Sequence, residues 1–301
     1  MVLRPHHVSG LYRTFNYIER NLGRRPSLTE LAKVASLAPH YFHRIFSVAT
    51  GESVQGHVRR LQLERAGFEL FTSDRAIAEI AIGCGYQSPA GFARAFGRHY
   101  GVSAQRFRKV RNSASLVAAI PPELRRNFAQ LSVRLRDEPD RRLKFIRRTG
   151  PLLPLRIQGR EVVRRLLTGT SASQNAPIYK QTPDFPPITA PDKLRHDFAF
   201  SADVVHHASD ELIETRSPGG KYAVFYLDEG EVPEEVILHL WSYVYLVWAP
   251  ENGMRILPFG AYELWRRRDG RLTGAEIHVQ VQRTSISDPL TVTEHANQPE
   301  D

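Results

Sequence analysis

"SLTELAKVASLAPHYFHRIF", residues 27–46, carries two apolar stripes around a three-residue interruption, and its reading decides the first domain. Ser27 with Glu30 three positions on forms a capping box ahead of Leu31, Ala32, Val34 and Ala35. The pattern breaks at Ala35–Ser36–Leu37 and restarts at Pro39, which suits a first helical position. Phe42, Ile45 and Phe46 then recur on one helical face. Two short helices joined by so tight a turn must cross steeply, the geometry of a helix-turn-helix. His40, His43 and Arg44 fall opposite the apolar stripe and are left free of the packing.

The same text recurs about fifty residues on, in "AEIAIGCGYQSPAGFARAFGRHYGVSAQRF", residues 78–107. Glu30 pairs with Glu79, Leu31 with Ile80 and Ala32 with Ala81. One extra residue in the second turn shifts the register, so that Phe42 pairs with Phe92, Arg44 with Arg94, Phe46 with Phe96 and Gly51 with Gly101. Between the copies, "VQGHVRRLQLERAGFELF" (54–71) predicts one long amphipathic helix with Val58, Leu61, Leu63 and Leu70 inward. Such a helix is about 25 Å long and can hold two recognition helices one DNA turn, roughly 34 Å, apart.

Charge follows the same division. Residues 1–112 hold 17 Lys and Arg against 7 Asp and Glu, whereas the rest of the chain is close to balanced at 24 against 25. All the excess positive charge therefore lies in the first third, where it suits a polyanion as well as it suits a solvated surface. Cys84 is the only cysteine, which excludes an intrachain disulfide and a cysteine-based zinc site. Its small and apolar neighbours in "IAIGCGYQS" make it a packing residue. The start of the chain does not read as a signal peptide, and the apolar run "WSYVYLVWAP" (241–250) is too short to span a bilayer. The expectation is a cytoplasmic protein without membrane association.

Residues 9–111 resemble the tandem helix-turn-helix DNA-binding domain of the AraC/XylS transcription regulators. The resemblance rests on "LTELA" and "IAEIA", "YFHRIF" and "FARAF", Gly51 and Gly101, Arg59 with Leu63 and Ala66, and the closing Phe107–Arg108. Ser36, Ala38 and Ala104 depart from it, standing where the family has a turn glycine, an N-capping serine and a proline. The resemblance implies double-stranded DNA as partner and, for an activator, RNA polymerase. It places base-facing positions on His40, His43 and Arg44 in the first recognition helix. Arg44 can pair with the O6 and N7 of guanine. Tyr41 suits a phosphate, a thymine methyl or packing. In the second helix the equivalent positions are Pro89, Ala90, Ala93 and Arg94, so only Arg94 has strong hydrogen-bonding potential, with Arg98, Arg106, Arg108 and Arg111 available for phosphates. The plainer reading of each arginine is a surface charge or an intradomain ion pair. His40 and His43 have helical spacing for a metal but no evident third ligand, so no metal or cofactor is expected.

After a Ser/Ala/Pro stretch read as a linker (113–142), with a helix from Pro122 to about Arg136, the texture becomes β-rich. Alternation in "LKFIRR", "PIYKQ", "DFAFSADVV", "ELIETR", "KYAVFYL", "AYELWRR" and "AEIHVQVQ" predicts strands, with helices near 152–168 and 233–248. The order is strand, helix, strand, strand, twice over, with Gly150 and Gly230 at matching turns. The polar tail 284–301 is expected to be mobile.

Residues 143–283 resemble the GyrI-like effector-binding domain, through "IRRTGP", "DKLRHDFAF", "PGGKYAVFYLDEG", "LHLWSYVYLVWAPENG" and "AYELW". The expected architecture is thus multidomain: an all-α tandem helix-turn-helix domain (1–112) plus a duplicated α+β domain. The second resemblance implies a cleft for a small amphipathic effector, with Glu263 at the position of a glutamate that can meet a cation. Trp241, Tyr245, Tyr226 and Trp265 are candidate apolar and cation–π walls. Trp241 and Tyr245, four apart on one helix face, read equally well as core. Two other functions stay open on the sequence. One is a small-molecule hydrolase using Glu263 with Tyr262 or Tyr245, although no Ser/His/Asp or Cys/His constellation is present and a sensor rather than an enzyme is expected. The other is a C-terminal module that only docks a protein partner.

Overall fold

The computed structural model describes residues 5–111, 117–150, 175–185, 188–204, 212–227, 234–269 and 271–283. The chain divides into two compact units, one built on residues 1–112 and the other on most of the remainder.

The first unit is helical: α1 Pro5–Arg20, α2 Leu28–Ala35, α3 Pro39–Thr50, α4 Val54–Thr72, α5 Ile77–Gly83, α6 Pro89–Tyr100 and α7 Ala104–Arg111. Ser27 caps α2, its hydroxyl accepting from the Glu30 amide at 3.2 Å. In the tight turn after α2, Ser36 takes the left-handed conformation (φ 59°, ψ 40°) that a glycine would adopt without steric cost. α1 lies close against α2: a Cβ on Gly10 would stand 2.7 Å from the Ala35 carbonyl oxygen, so only glycine permits the approach. Phe42, Ile45 and Phe46 of α3 are fully buried with Leu31 of α2. The second copy packs Ile80, Phe92 and Phe96 around Leu63 and Leu70 of α4, with Cys84 and Ala104 in the same cluster. Burial pushes the Cys84 thiol up to about 12, leaving it a packing group without nucleophilic character. Helix α4, 19 residues and about 28 Å long, runs between the two copies.

The second unit begins with α8, Pro122–Ala129, whose Phe128 ring sits 5.7 Å from that of Tyr243. Its eight strands are β1 Val133–Glu138, β2 Arg141–Thr149, β3 Ile178–Gln181, β4 Arg195–Ser201, β5 Ile213–Ser217, β6 Gly220–Leu227, β7 Met254–Arg268 and β8 Arg271–Arg283. They form one sheet in the order β1-β6-β8-β7-β3-β4-β2-β5. That order is a palindrome of two equivalent halves, meeting at the antiparallel β3–β7 seam. Helix α9, Glu234–Tyr243, continues through a π-helical stretch Val244–Trp248 into a last turn Ala249–Glu251. It packs on one face of the sheet, Trp248 meeting Phe225 of β6 edge-on at 4.9 Å.

The structure differs from the sequence reading at the linker. The helix from Pro122 stops at Ala129, and Val133–Glu138 is a strand paired antiparallel with β6. Only two inward positions, Val133 and Leu135, alternate with exposed Arg134 and Arg136, too short a run to separate strand from helix by period. The helix expected near 152–168, the turn glycine Gly230 and the tail 284–301 lie outside the described residues.

Candidate functional site

Two surfaces collect the chemistry-bearing residues. The first is the pair of helices α3 and α6. Packing of Phe42, Ile45 and Phe46 inward leaves His40, His43 and Arg44 exposed on α3. Packing of Phe92 and Phe96 leaves Ala90, Ala93, Arg94 and Arg98 exposed on α6. Tyr41 is 38% exposed, but its hydroxyl lies 3.1 Å from Nε2 of the buried His7 on α1. The Arg44 guanidinium stands 5.9 Å from the Tyr41 ring. Tyr41 therefore ties α3 to α1 and flanks Arg44, so its packing role is present whatever else it contacts. Beneath α3, Glu52 accepts hydrogen bonds from His57 Nδ1 at 2.7 Å and from Arg60 Nε at 2.8 Å, and Arg60 reaches Glu64 at 3.1 Å. Burial alone would raise the Glu52 pKa, but the His57 and Arg60 hydrogen bonds outweigh it and hold the carboxyl at about 2. This network fixes the end of the first helix-turn-helix unit to α4. Sequence reading gave it no role, because Glu52, His57 and Arg60 look like ordinary surface charges when taken singly.

The second surface is the α9-covered face of the sheet. Glu263 on β7 is 3% exposed and stands directly across the seam from Lys180 on β3. Lys180 Nζ lies 3.1 Å from each carboxylate oxygen. Trp241 Nε1, from α9, donates to Oε1 at 3.0 Å, and Trp265 Nε1 donates to Oε2 at 2.9 Å. The Trp241 and Tyr245 rings stack, 5.9 Å apart at 25°, and both remain half-buried. Four of the five expected cleft residues, Glu263, Trp241, Tyr245 and Trp265, thus share one site. Tyr226 does not join them. It pairs with Glu276 on β8, packs with Tyr222 and Tyr262 on the opposite face, and lies beneath the guanidinium groups of Arg134 and Arg136, 5.3 and 5.5 Å away. The reason is strand register: Tyr226 opposes Glu276, Glu276 opposes Leu264, and Leu264 and Glu263 are successive residues of β7 that point to opposite faces.

Lys180 is the residue that sequence reading missed. Its signal was available in "PIYKQ", where Lys180 shares the inward face with buried Ile178. Glu263 thus already has a buried ammonium as partner.

The opposite face carries its own polar chain. The Tyr262 hydroxyl donates to His278 Nδ1 at 3.1 Å, and His278 Nε2–H donates to Glu276 at 2.6 Å, the tautomer following from Glu276 being an acceptor. Arg266 also pairs with Glu276, and Arg141 reaches the Tyr262 hydroxyl at 3.4 Å. Burial raises the pKa of Tyr262. Burial would likewise raise Glu276, but its bonds to His278 and Arg266 lower it on balance. Tyr262 therefore faces away from Glu263, whereas Tyr245, the other candidate acid/base partner, stacks on the Trp241 ring that bonds Glu263.

A tandem helix-turn-helix unit and a duplicated sheet with the buried Lys180–Glu263 pair under α9 define a two-domain class. Two known families match parts of the chain. A helix-turn-helix domain family matches residues 31–110, and the GyrI-like small molecule binding domain matches residues 131–269, a span that takes in β1. Residues 31–110 are thus similar to a helix-turn-helix domain, and residues 131–269 to a GyrI-like small molecule binding domain. It is 34% identical over 92 residues to the "Probable transcriptional regulator LumQ" of Photobacterium leiognathi, covering 31% of this chain and 37% of that protein. It is 33% identical over 88 residues to the "Uncharacterized HTH-type transcriptional regulator YbfP" of Bacillus subtilis, covering 29% and 30% respectively. The chain thus spans about a third of the length of these relatives. Among solved structures, the DNA-binding domain of AdpA in complex with a target DNA is similar at 25% identity and a TM-score of 0.33, covering 38% of this chain and 98% of that one. Among the described residues no helix is long and apolar enough to cross a membrane.

Proposed function

We propose that this chain is a one-component transcription regulator of the cytoplasm, reading double-stranded DNA with α3 and α6 and an effector with the C-terminal domain. The observation that carries it is the tandem repeat itself. Two buried phenylalanine stripes hold two helices whose opposite faces are exposed, on the domain that holds all the excess positive charge. The first helix offers His40, His43 and Arg44 to base edges. The second offers Arg94 and Arg98, with Ala90 and Ala93 leaving room for close approach, so it contributes phosphate contact and shape more than base readout. The effector is a small amphipathic molecule lying against Trp241, Tyr245 and Trp265 over Glu263. Ligand binding there shifts the population of DNA-competent protein, and the family resemblance favours activation through RNA polymerase.

The test begins by selecting bound fragments from a random duplex library with the full chain. On the selected site, Arg44→Ala should weaken binding by about 1–3 kcal/mol, roughly 5- to 150-fold, and relax one base preference. Equal loss on selected and random DNA would reduce Arg44 to a phosphate contact. Failure to enrich any sequence would remove the regulator reading.

A further inference from the structure

The buried Glu263 carboxylate is already partnered. An ionised carboxylate offers about four acceptor positions. Lys180 Nζ reaches both Glu263 oxygens, and Trp241 and Trp265 supply one N–H each. The pairing is built into the topology. β3 and β7 are the central strands of the two halves, and Lys180 stands directly opposite Glu263 across their seam. Both side chains are buried, Lys180 at 6% exposure and Glu263 at 3%. A cationic effector would have to displace a buried ammonium group, and would meet it as a like charge at short range.

We propose that Lys180 is the specificity-determining residue of this cleft: a built-in cation that neutralises Glu263 and tunes the site to uncharged molecules carrying a planar apolar ring. The recognition surface is then the stacked Trp241–Tyr245 pair, half-buried and 25° from parallel, with Trp265 beside it. Both indole N–H groups are committed to Glu263, so the rings face a ligand through their apolar surfaces. This inference rests on the reading of the domain as an effector site.

The experiment uses the full-length chain and a set of aromatic skeletons, each made in three forms that bear a hydroxyl, a trimethylammonium or a carboxylate group, followed by thermal shift and titration calorimetry. The wild type should bind the hydroxyl member at least tenfold more tightly than the trimethylammonium member of the same skeleton. Lys180→Met should reverse that order, gaining at least tenfold for the cation, and Lys180→Met with Glu263→Gln should lose the gain while keeping the hydroxyl member. Should Lys180→Met fail to fold, the wild-type series and the charge-free double variant still decide the matter. A wild type that binds the cation as well as the hydroxyl member overturns the role of Lys180 and leaves the effector site standing. No binding of any member by any of the proteins would bring down the effector reading, and this inference with it.

Discussion

Glu52 offers the sharpest link between a local network and the stability of the DNA-binding unit. Its carboxyl is held at about 2, against 4.5 for the free group, by His57 and Arg60 acting against the opposing effect of burial. The depressed folded-state value means that the unfolded chain binds more protons between those limits. The network's contribution is therefore complete above the unfolded pKa and is lost as pH falls from about 4.5 towards 2. At 1.36 kcal/mol per unit the shift corresponds to about 3 kcal/mol, and the 17% of the side chain still exposed trims this to about 2–3 kcal/mol. Glu52→Gln keeps the shape and removes the titration. Urea denaturation of wild type and Glu52→Gln at pH 6, 5, 4 and 3, followed by helical circular dichroism, isolates the term as a difference between the two proteins. Their stability gap should narrow by about 2–3 kcal/mol as pH falls from 6 towards 2, with most of the closure below 4.5. Parallel pH profiles would show that Glu52 titrates normally and that the His57–Arg60 network does not fix α4 to the first unit.

Three further outcomes follow from individual contacts. Ser88 caps α6 by accepting from the Gly91 amide at 3.2 Å, whereas Ala38 leaves α3 uncapped, so Ala38→Ser should stabilise the first unit by about 1 kcal/mol in the same assay. A Cβ on Gly260, at the irregularity before the "AYELW" segment, would stand 2.4 Å from the Gln280 Cβ, so Gly260→Ala should destabilise the second unit by roughly 1–3 kcal/mol. An unchanged midpoint would mean that the β7 bulge relaxes freely. Arg94→Ala should weaken selected and random DNA by similar factors and lessen the salt dependence, in contrast to Arg44→Ala; a selective loss would promote the second helix to a base reader.

Legibility in the sequence depended on whether a signal was local. The helix-turn-helix copies could be read because every packing residue sits within a few positions of its partners, and α2, α3, α5 and α6 begin within a residue or two of the expected places. The strands other than β1 were equally visible as short alternating runs. What spacing could not supply was pairing across distance. Lys180 and Glu263 are 83 residues apart and meet only because β3 and β7 close the two halves. Tyr226 was a candidate wall of the cleft that the GyrI-like resemblance implies, and strand register puts it on the face opposite Glu263. Strand β1 was hidden because its partner, β6, lies some ninety residues later and its own six residues show only two apolar positions.

Both domains are duplications, and each uses its two copies differently. In the first, the buried stripe is kept, as Phe42/Phe46 and Phe92/Phe96, while the outward residues diverge from His40, His43 and Arg44 to Ala90, Ala93 and Arg94. Packing constrains a core position because lost volume costs several kcal/mol, whereas an exposed position is free to change. One copy can then specialise in base edges and the other in the backbone. In the second domain the copies face each other across the β3–β7 seam, so divergence there changes one site from within. Two like charges at the seam would repel; a lysine opposite a glutamate makes an ion pair instead. On the proposed reading, an effector would then be discriminated by shape and apolar area at the Trp241–Tyr245 surface.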